Sequence, residues 1–464
     1  MSVKENKRLF GEHLTSSLIF NEFIFPEIQN SLTNYTWIDL YAGEGHLIFP
    51  IIERVQVEKR EEFFRNHIFL SDIQQKMVQA CLEKAVDLGI SEKLATQNIV
   101  LRDNLESFPK GLSKFRYPLF HITNPPYLYL GYIRKHRSTQ KYLPYFEDAN
   151  DGYQDLYQIA LINDLRNKLE NLIYIIPSNF LFGAAVSNKI REDFLKYYAI
   201  RKVVILEKQI FEYTGTNICI CFFNKKKTPK EETQMFWGIK IKKQNQIIEK
   251  NYALKPEFKY RAGSEFEEFL RNKRAKVPLT VRYYLLNEDV SKNRGKNELS
   301  VIDANNYENG EYKKLTIKVN KVLENQITSN ILYAKTVDSG SEEGRAGIGI
   351  VRDDFNVDGI LVTGNTYRTH PIQIFLDPPL SIENQKYLKE YFNLILEYFR
   401  DYLDSEFLTT YKYSNAEYTR KYLGLTQVRG LIETFPLLNW DETKTEKLYK
   451  LIRDKDIEAL VNFL

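Results

Sequence analysis

The chain has 464 residues, of which 43% are hydrophobic and 27% are charged. This composition excludes a globally disordered chain, and the length exceeds the roughly 250–300 residues at which a single core stops growing, so at least two domains are expected. The net charge of +4 excludes a histone-like polycation and leaves nucleic-acid binding open only if the basic side chains cluster on one face.

Three cysteines are too few for a disulfide framework, and their spacing does not provide a four-ligand zinc site. No run of about 18 apolar residues is present, and the N-terminal residues lack a basic-then-apolar signal. These features predict a cytoplasmic protein in a reducing compartment, with no metal and no membrane partner.

The first 230 residues alternate short apolar runs with helical patterns. We interpret these runs as strands, at residues 37–42, 67–73, 98–103, 119–127, 171–180, 201–211 and 216–227. Strand and helix alternating at this spacing predict an α/β fold with a mostly parallel, doubly wound sheet. In such sheets ligands bind beyond the carboxyl ends of the strands, which is where candidate site residues should lie.

The character of the sequence changes at residues 225–233, KKKTPKEET, which are charged and lack apolar periodicity. This segment fits a domain boundary and fits a charged hairpin equally well. Placing the boundary there predicts an N-terminal domain of residues 1–230 and an α+β domain of residues 231–464. The second domain mixes short strand-like runs with turns and has helical patterns at residues 381–407 and 444–464.

Acidic residues and glycines stand at the ends of the first three predicted strands. Residues 39–45, DLYAGEG, form either a loop whose glycines let the backbone approach a ligand or a plain tight turn. A carboxylate at Asp72 can accept both hydroxyls of a ribose, and it can equally cap a helix. The same two interpretations apply to Asp103.

The fourth predicted strand ends in the most informative motif, Asn124-Pro125-Pro126-Tyr127. Two prolines fix the backbone and remove two N–H donors, which leaves the Pro125 carbonyl free to accept a hydrogen bond. Asn124 adds an amide oxygen, and Tyr127 adds a flat ring. Two acceptors beside a ring suit a planar ligand that carries an exocyclic amino group.

At these motifs the sequence resembles the S-adenosylmethionine-dependent amino-methyltransferases of DNA that make N6-methyladenine. The motif order resembles the subgroup with its cofactor motifs first and its target-recognition domain last, and the match covers about residues 8–225. The resemblance implies a Rossmann-like catalytic domain at residues 1–230 and a DNA target-recognition domain at residues 231–464. It also implies a monomer that acts on double-stranded DNA by base flipping, uses no metal, and serves a restriction–modification system with a cognate endonuclease as a further partner.

The resemblance assigns roles to individual residues. Gly11 and Thr15 would flank the methionine end of the cofactor, although Ser16 stands where the family usually has proline. The implied cofactor-binding residues are Gly11, Thr15, Asp39, Ala42, Gly43, Gly45, Asp72 and Asp103. The implied catalytic residues are Asn124, Pro125, Pro126, Tyr127 and Phe211, the last as a second aromatic ring closing over the target base. Residues 175–178, IIPS, resemble a strand motif of the catalytic half.

Basic side chains follow the tetrapeptide, interleaved with aromatic residues. They are Arg134, Lys135, Arg137 and Lys141, and they predict either a loop that meets DNA phosphates or a solvated basic loop. Arg345, in the glycine-rich residues 340–349, is a further candidate DNA contact.

Two other functions stay open at this stage. The same tetrapeptide occurs in methyltransferases that modify protein glutamine or RNA guanine, but those resemble shorter chains without a large C-terminal domain. A catalytically silent DNA-binding module is the second alternative, and the four intact motifs at the strand ends argue against it.

Overall fold

The computed structural model describes residues 17–207, 217–242, 246–338, 344–364, 370–410 and 421–464. They divide into two compact units, the first of which extends to Ala262 and the second of which begins at Gly263. The predicted boundary at residue 230 therefore lies inside the first unit. Two strands that follow residue 230 extend the sheet of that unit, which corrects the boundary by about 30 residues.

The first unit is built on a nine-stranded sheet within the described residues. Its strands are β1 (Thr36–Asp39), β2 (Ile68–Asp72), β3 (Ile99–Leu101), β4 (Leu119–Thr123), β5 (Asn171–Pro177), β6 (Tyr198–Leu206), β7 (Ile218–Lys225), β8 (Gln234–Ile241) and β9 (Ile247–Leu254). The strand order is β3-β2-β1-β4-β5-β7-β6-β8-β9, and the five strands from β3 to β5 are mutually parallel. The predicted α/β class with a mostly parallel sheet is confirmed.

Helices connect the strands of this sheet. They are α1 (Ser17–Ile19), α2 (Phe25–Ile28), α3 (Phe49–Glu53), α4 (Arg60–His67), α5 (Gln75–Asp87), α6 (Glu92–Asn98), α7 (Leu130–Lys135), α8 (Leu156–Arg166), α9 (Asn179–Phe182) and α10 (Ala185–Leu195). A π-helical turn spans Phe20–Ile24, and short 3₁₀ segments span Gln29–Ser31, Val57–Lys59, Lys110–Lys114, Arg137–Phe146, Asp148–Asn150 and Pro256–Phe258.

The sheet is buried because its central strands are apolar on both faces, as expected for parallel strands covered by helices. Every residue of β1 and β2 is buried, including Trp37 and Ile38, which are fully inaccessible. Polar residues appear where these strands end. Because the strands themselves are buried and apolar, the polar side chains converge at the carboxyl edge of the sheet.

In its described residues, the second unit contains two four-stranded sheets and a small three-stranded one. Its strands are β10 (Thr280–Tyr283), β11 (Leu285–Leu286), β12 (Arg294–Glu308), β13 (Glu311–Val319), β14 (Leu332–Lys335), β15 (Val337–Asp338), β16 (Gly347–Ile350), β17 (Gly359–Val362), β18 (Ile372–Asp377), β19 (Thr409–Thr410) and β20 (Lys421–Tyr422). The orders are β10-β18-β14-β16, β11-β17-β12-β13 and β15-β20-β19.

Helices pack on these sheets, so the predicted α+β character is present. They are α11 (Glu265–Asn272), α12 (Asn287–Lys292), α13 (Lys321–Thr328), α14 (Val351–Phe355), α15 (Ile382–Leu403), α16 (Leu425–Glu433), α17 (Glu442–Asp454) and α18 (Ile457–Phe463), with a 3₁₀ turn at Leu437–Asn439. The long helix predicted from its apolar stripe is α15. It starts where the Ser381 hydroxyl accepts the Asn384 N–H, and it ends at Asp404 in a left-handed conformation.

No helix among these described residues is both long enough and apolar enough to cross a membrane.

Candidate active site

A cavity of about 390 Å³ lies at the carboxyl ends of β1 to β4 in the first unit. It brings together many of the residues singled out in the sequence: Asp39, Ala42, Gly43, Asp72, Asp103, Asn124, Pro126 and Lys141. The other lining residues include Tyr41, Glu44, His46, Met77, Arg102, Asn104, Tyr142 and Tyr145. The edge of a parallel sheet is where its topology predicts a ligand site, and the cavity occupies that edge.

The glycine loop leaves β1 through two left-handed backbone conformations, at Gly43 with φ +53° and at Gly45 with φ +76°. A β-carbon on Gly45 would lie 2.3 Å from Cε2 of Phe49, so no larger residue fits there without a shift. Gly43 lines the cavity, whereas Gly45 is not among the lining residues. Gly45 therefore serves the packing of the loop on α3.

Asp72 holds this loop from the neighbouring strand. Its Oδ2 accepts the N–H of Gly43 at 2.9 Å, and its Oδ1 accepts the N–H of Gln74 at 2.9 Å. The N-cap of α5 is Gln74, so Asp72 is not the helix cap that the sequence left open. The carboxylate lies in the cavity wall, at the end of the second strand.

Asp103 is held in a tight turn after β3. Its Oδ1 accepts the N–H groups of Leu105 and Glu106 at 3.0 and 3.2 Å, and its Oδ2 accepts the hydroxyl of Tyr145. Burial, together with this hydrogen bond, raises the pKa of Tyr145 above its usual value. The tyrosine is therefore a neutral hydrogen-bond donor that fixes the carboxylate in the cavity wall.

Asp39 is almost fully buried, at 1% exposure. Its Oδ1 accepts the Thr123 hydroxyl at 2.6 Å and the Tyr41 N–H at 3.0 Å. Burial raises the pKa of the carboxyl to about 6, and these hydrogen bonds oppose the shift. Asp39 thus links the carboxyl ends of β1 and β4 through hydrogen bonds, and it forms part of the cavity wall.

A buried hydrogen-bond network, which sequence reasoning missed, also holds the carboxyl end of β1 in place. His121 Nε2 accepts the N–H of Leu40 at 3.2 Å, so Nδ1 carries the proton and donates to Asp164 Oδ2 at 2.6 Å. The hydroxyl of Tyr174 donates to the same oxygen at 2.5 Å. The available signals were a histidine in the largely apolar strand β4 and an acid, Asp164, in the largely apolar helix α8.

Asn104 anchors the end of β1 from the other side. Its Nδ2 donates to the Leu40 carbonyl at 2.5 Å and to the Ser71 hydroxyl at 2.9 Å. Both the N–H and the C=O of Leu40 are therefore held by side chains. The sequence contained Asn104 beside Asp103, but nothing local indicated that its side chain reaches back to β1.

The tetrapeptide follows β4, with Asn124 and Pro126 in the cavity wall. The hydroxyl of Tyr127 lies within hydrogen-bonding distance of Asn124 Oδ1 and, at 2.6 Å, of the carbonyl of Ile175 in β5, and it shares its one proton between these two acceptors. The ring of Tyr127 is only 4% exposed and contacts Tyr157 edge-on, with 6.4 Å between ring centroids. Because the ring is buried, a base can stack on it only after the residues that cover the ring move. The Tyr127 hydroxyl already contacts Asn124 in the free protein.

The basic segment after the tetrapeptide divides between two environments. Arg134 and Lys135 end the short helix α7 and Arg137 begins the following 3₁₀ segment, so they do not lie in the predicted loop, but all three are exposed. Lys141 also lines the cavity, and its Nζ lies 5.0 Å from the centroid of the Tyr142 ring. The 3₁₀ segment Arg137–Phe146 thus adds to the cavity wall, a role that the sequence pattern did not indicate.

The remaining predicted residues lie elsewhere. Gly11, Thr15 and Phe211 are outside the described residues. Arg345 belongs to the second unit, where it is exposed and its Nη1 pairs with Glu397 Oε2 at 2.5 Å. A phosphate at Arg345 would have to compete with this carboxylate. No group of three His, Cys, Asp or Glu side chains in the described part of the chain is arranged to hold a metal ion.

The described residues of the first unit thus combine a mostly parallel sheet with a polar cavity at the carboxyl ends of β1 to β4. Residues 69–327, more than half of the chain, match the family model of the N-6 DNA methylases. The chain belongs to the N-6 DNA methylase family. No curated protein matches its sequence.

Solved structures resemble this chain at low sequence identity. The Type IIL restriction–modification enzyme MmeI, determined in complex with DNA, aligns over 97% of this chain and 71% of its own, with a TM-score of 0.55 and 12% identity. The M protein of the Type I restriction enzyme EcoKI aligns over 68% of this chain and 65% of its own, with a TM-score of 0.37 and 11% identity.

A modification subunit of a putative type I restriction enzyme from Vibrio vulnificus YJ016 aligns over 72% of this chain, with a TM-score of 0.37 and 16% identity. This chain covers 58% of the length of that subunit.

Proposed function

We propose that this protein is a site-specific DNA methyltransferase that transfers a methyl group from S-adenosylmethionine to the N6 amino group of adenine in double-stranded DNA. The observation that carries the proposal is the placement of Asn124 in one cavity with Asp39, Asp72 and Asp103. The amino-group acceptor and the carboxylates expected to hold the cofactor thus share one space. The family to which the chain belongs supports the same reaction.

The cavity fits the proposed cofactor by its chemistry. S-adenosylmethionine is a sulfonium cation with an ammonium group, a ribose and an adenine, and it supplies an electrophilic methyl group when bound. Asp72 offers carboxylate oxygens for the ribose hydroxyls, and Asp103 offers one for the adenine amino group. Tyr41, Tyr142 and Tyr145 add rings beside these carboxylates, and Glu44 adds a further negative charge.

Asn124 and the Pro125 carbonyl are the groups that would act on the target base. An adenine amino group is a weak nucleophile, because its lone pair is delocalised into the ring. Hydrogen bonds donated to these two acceptors increase the electron density on the nitrogen and orient it. No strong base is needed, because the methylated cation is acidic and releases its proton afterwards.

The target adenine must leave the helix stack, at a cost of a few kcal/mol. We assign Arg134, Lys135 and Arg137 to the DNA phosphates beside the extruded base, because they are exposed and follow the tetrapeptide directly. We assign target recognition to the second unit, which begins at Gly263. A restriction–modification system is the setting in which such an enzyme works, with a cognate endonuclease as its partner.

The test is methyl transfer from radiolabelled S-adenosylmethionine to DNA, RNA and protein substrates, followed by digestion of the DNA and mass spectrometry of the nucleosides. N6-methyladenine in DNA is the expected product, and Asn124→Ala should abolish it. N4-methylcytosine would overturn the base assignment. Label in protein or RNA alone would overturn DNA as the substrate.

A further inference from the structure

Two buried polar side chains at the end of β5 have no role in the mechanism above. Ser178 is 1% exposed and Asn179 is 9% exposed, and they follow Pro177, the last residue of the strand. Within the described residues, neither Oγ of Ser178 nor Oδ1 of Asn179 has a hydrogen-bond partner. Buried polar atoms are nearly always paired, so two adjacent exceptions call for a partner that binds there.

The local backbone does not use the Ser178 hydroxyl. Serine at the N-cap of a helix usually accepts an N–H of the first turn, but Ser178 makes no such bond with α9. The N–H groups of Leu181 and Phe182 instead bond to the main-chain carbonyl of Ser178, at 2.9 and 3.0 Å. The Ser178 hydroxyl therefore takes no part in the hydrogen bonds that begin α9.

The strand register places this pair at the same edge of the sheet as the tetrapeptide. In the parallel β4–β5 pair Thr123 lies opposite Tyr174, so Asn124 and Ser178 both lie beyond the carboxyl ends of adjacent strands. The Tyr127 hydroxyl links the tetrapeptide to β5 by donating to the carbonyl of Ile175. On the other side the Ser178 N–H donates to the carbonyl of Asn217 at 2.9 Å.

The tetrapeptide by itself does not choose a base. Asn124 Oδ1 and the Pro125 carbonyl are acceptors, and both adenine and cytosine carry an exocyclic amino group. Adenine differs in the ring atoms beside that group, since it has acceptor nitrogens N1 and N7 where cytosine has an acceptor on one side and a C5–H on the other. A donor facing N1 would meet the equivalent N3 of cytosine, so a donor facing N7 is the one that distinguishes adenine from cytosine.

We propose that Ser178 recognises the N7 edge of the extruded adenine, with the Ser178 hydroxyl donating to N7. The inference rests on the proposed function, because it concerns the base that the enzyme methylates. It makes Ser178 a specificity-determining residue. The base provides the acceptor that the Ser178 hydroxyl lacks in the free protein.

The experiment compares single-turnover methylation by the full-length wild type and by Ser178→Ala on duplexes that carry adenine, 1-deazaadenine or 7-deazaadenine at the target position. On adenine, Ser178→Ala should lose about tenfold in rate, the value of one neutral hydrogen bond. On 7-deazaadenine, which lacks N7, wild type and variant should be equal, whereas on 1-deazaadenine the variant should show the same loss as on adenine. An equal loss on all three bases would overturn the proposal, as would no loss on adenine.

Two additional measurements separate this role from a structural one. The Tm of Ser178→Ala should match or exceed that of the wild type, because the substitution removes a buried hydroxyl without a partner. Ser113→Ala, which removes a hydroxyl bonded to the Lys110 carbonyl outside the cavity wall, should leave the rate unchanged.

The wild-type reaction in the same series distinguishes the two possible failures. If the wild type makes no N6-methyladenine, the proposed function itself fails. If the wild type methylates adenine and Ser178→Ala does so at the same rate, only the assignment of the ring-edge contact fails.

Discussion

The N–H of Gly43 donates a 2.9 Å hydrogen bond to Oδ2 of Asp72, joining the glycine loop after β1 to the end of β2. One carboxylate therefore both shapes the loop and lies in the cavity wall. The geometry of the loop is coupled to the same residue that would hold the cofactor's ribose.

Replacing Asp72 should weaken cofactor binding strongly. Asp72→Ala removes the proposed ribose acceptor and also releases Gly43, so we expect the affinity for S-adenosylmethionine to fall by an order of magnitude or more, in line with the about 1.5–3 kcal/mol of a hydrogen bond to a charged group. Isothermal calorimetry measures the change. Asp87→Ala, on an exposed position of α5, is the matched control. Unchanged affinity in Asp72→Ala would contradict the ribose assignment.

The buried carboxyl of Asp39 should make the protein less stable as the pH rises. Its pKa in the folded state is about 6, raised from 3.8 by burial, so between these values the folded state binds more protons than the unfolded state. The stability contributed by the protonated form is therefore lost between about pH 4 and pH 6.

Asp39→Asn should remove this loss, because the amide oxygen can still accept from Thr123 and Tyr41 while the buried charge disappears. At about 1.36 kcal/mol per pKa unit, the variant should gain up to about 3 kcal/mol at pH 7. Denaturant unfolding from pH 4 to pH 7.5 tests this, with the exposed Asp87→Asn as control. A variant with the same pH dependence as the wild type would show that Asp39 is not the group responsible.

The hydroxyl of Tyr127 should matter for the rate, because it donates to Asn124 Oδ1. Tyr127→Phe leaves the ring and removes this bond, so we expect single-turnover methylation to slow by about 5- to 10-fold, the value of one hydrogen bond. Asn124→Ala should abolish transfer. Tyr198→Phe, which loses a buried hydroxyl bonded to the Leu169 carbonyl, should keep the wild-type rate.

Base extrusion gives a second readout for Tyr127. If its ring also stacks on the base, Tyr127→Ala should cost about 1–3 kcal/mol of base binding, and the loss should shrink when the target adenine faces a mismatch. A Tyr127→Phe rate equal to that of the wild type on both duplexes would show that the hydroxyl does not position Asn124.

A fragment that ends at the observed boundary should be more stable than one that ends at the predicted boundary. The strand β6 pairs with β8 along Lys202–Leu206, so truncation at residue 230 leaves β6 as an open edge with unpaired backbone groups. Residues 1–262 should unfold cooperatively and bind S-adenosylmethionine, whereas residues 1–230 should have a lower Tm and aggregate. Thermal unfolding with light scattering compares them. Equal stability would show that β8 and β9 are dispensable to this unit.

Much of the first unit could be predicted from local pattern. The apolar runs that correspond to β1 through β7 were recognisable, because parallel strands buried on both faces are nearly continuous in apolar residues. The strands β8 and β9 were not, because Met235 and Trp237 are exposed in β8, and β9 carries the consecutive charged residues Glu249 and Lys250. A half-exposed edge resembles a surface hairpin until its pairing partner is known.

The sequence by itself determined the alternation of strands and helices, the acidic residues at the strand ends, and the tetrapeptide. Each of these features is a pattern of residues that are close together in the chain. Only the tertiary structure decided that Tyr127 is buried against Tyr157, that Lys141 lines the cavity, and that His121 holds the end of β1. Such contacts join residues that are distant in the chain. Their geometry follows from strand order and packing, which local periodicity does not record.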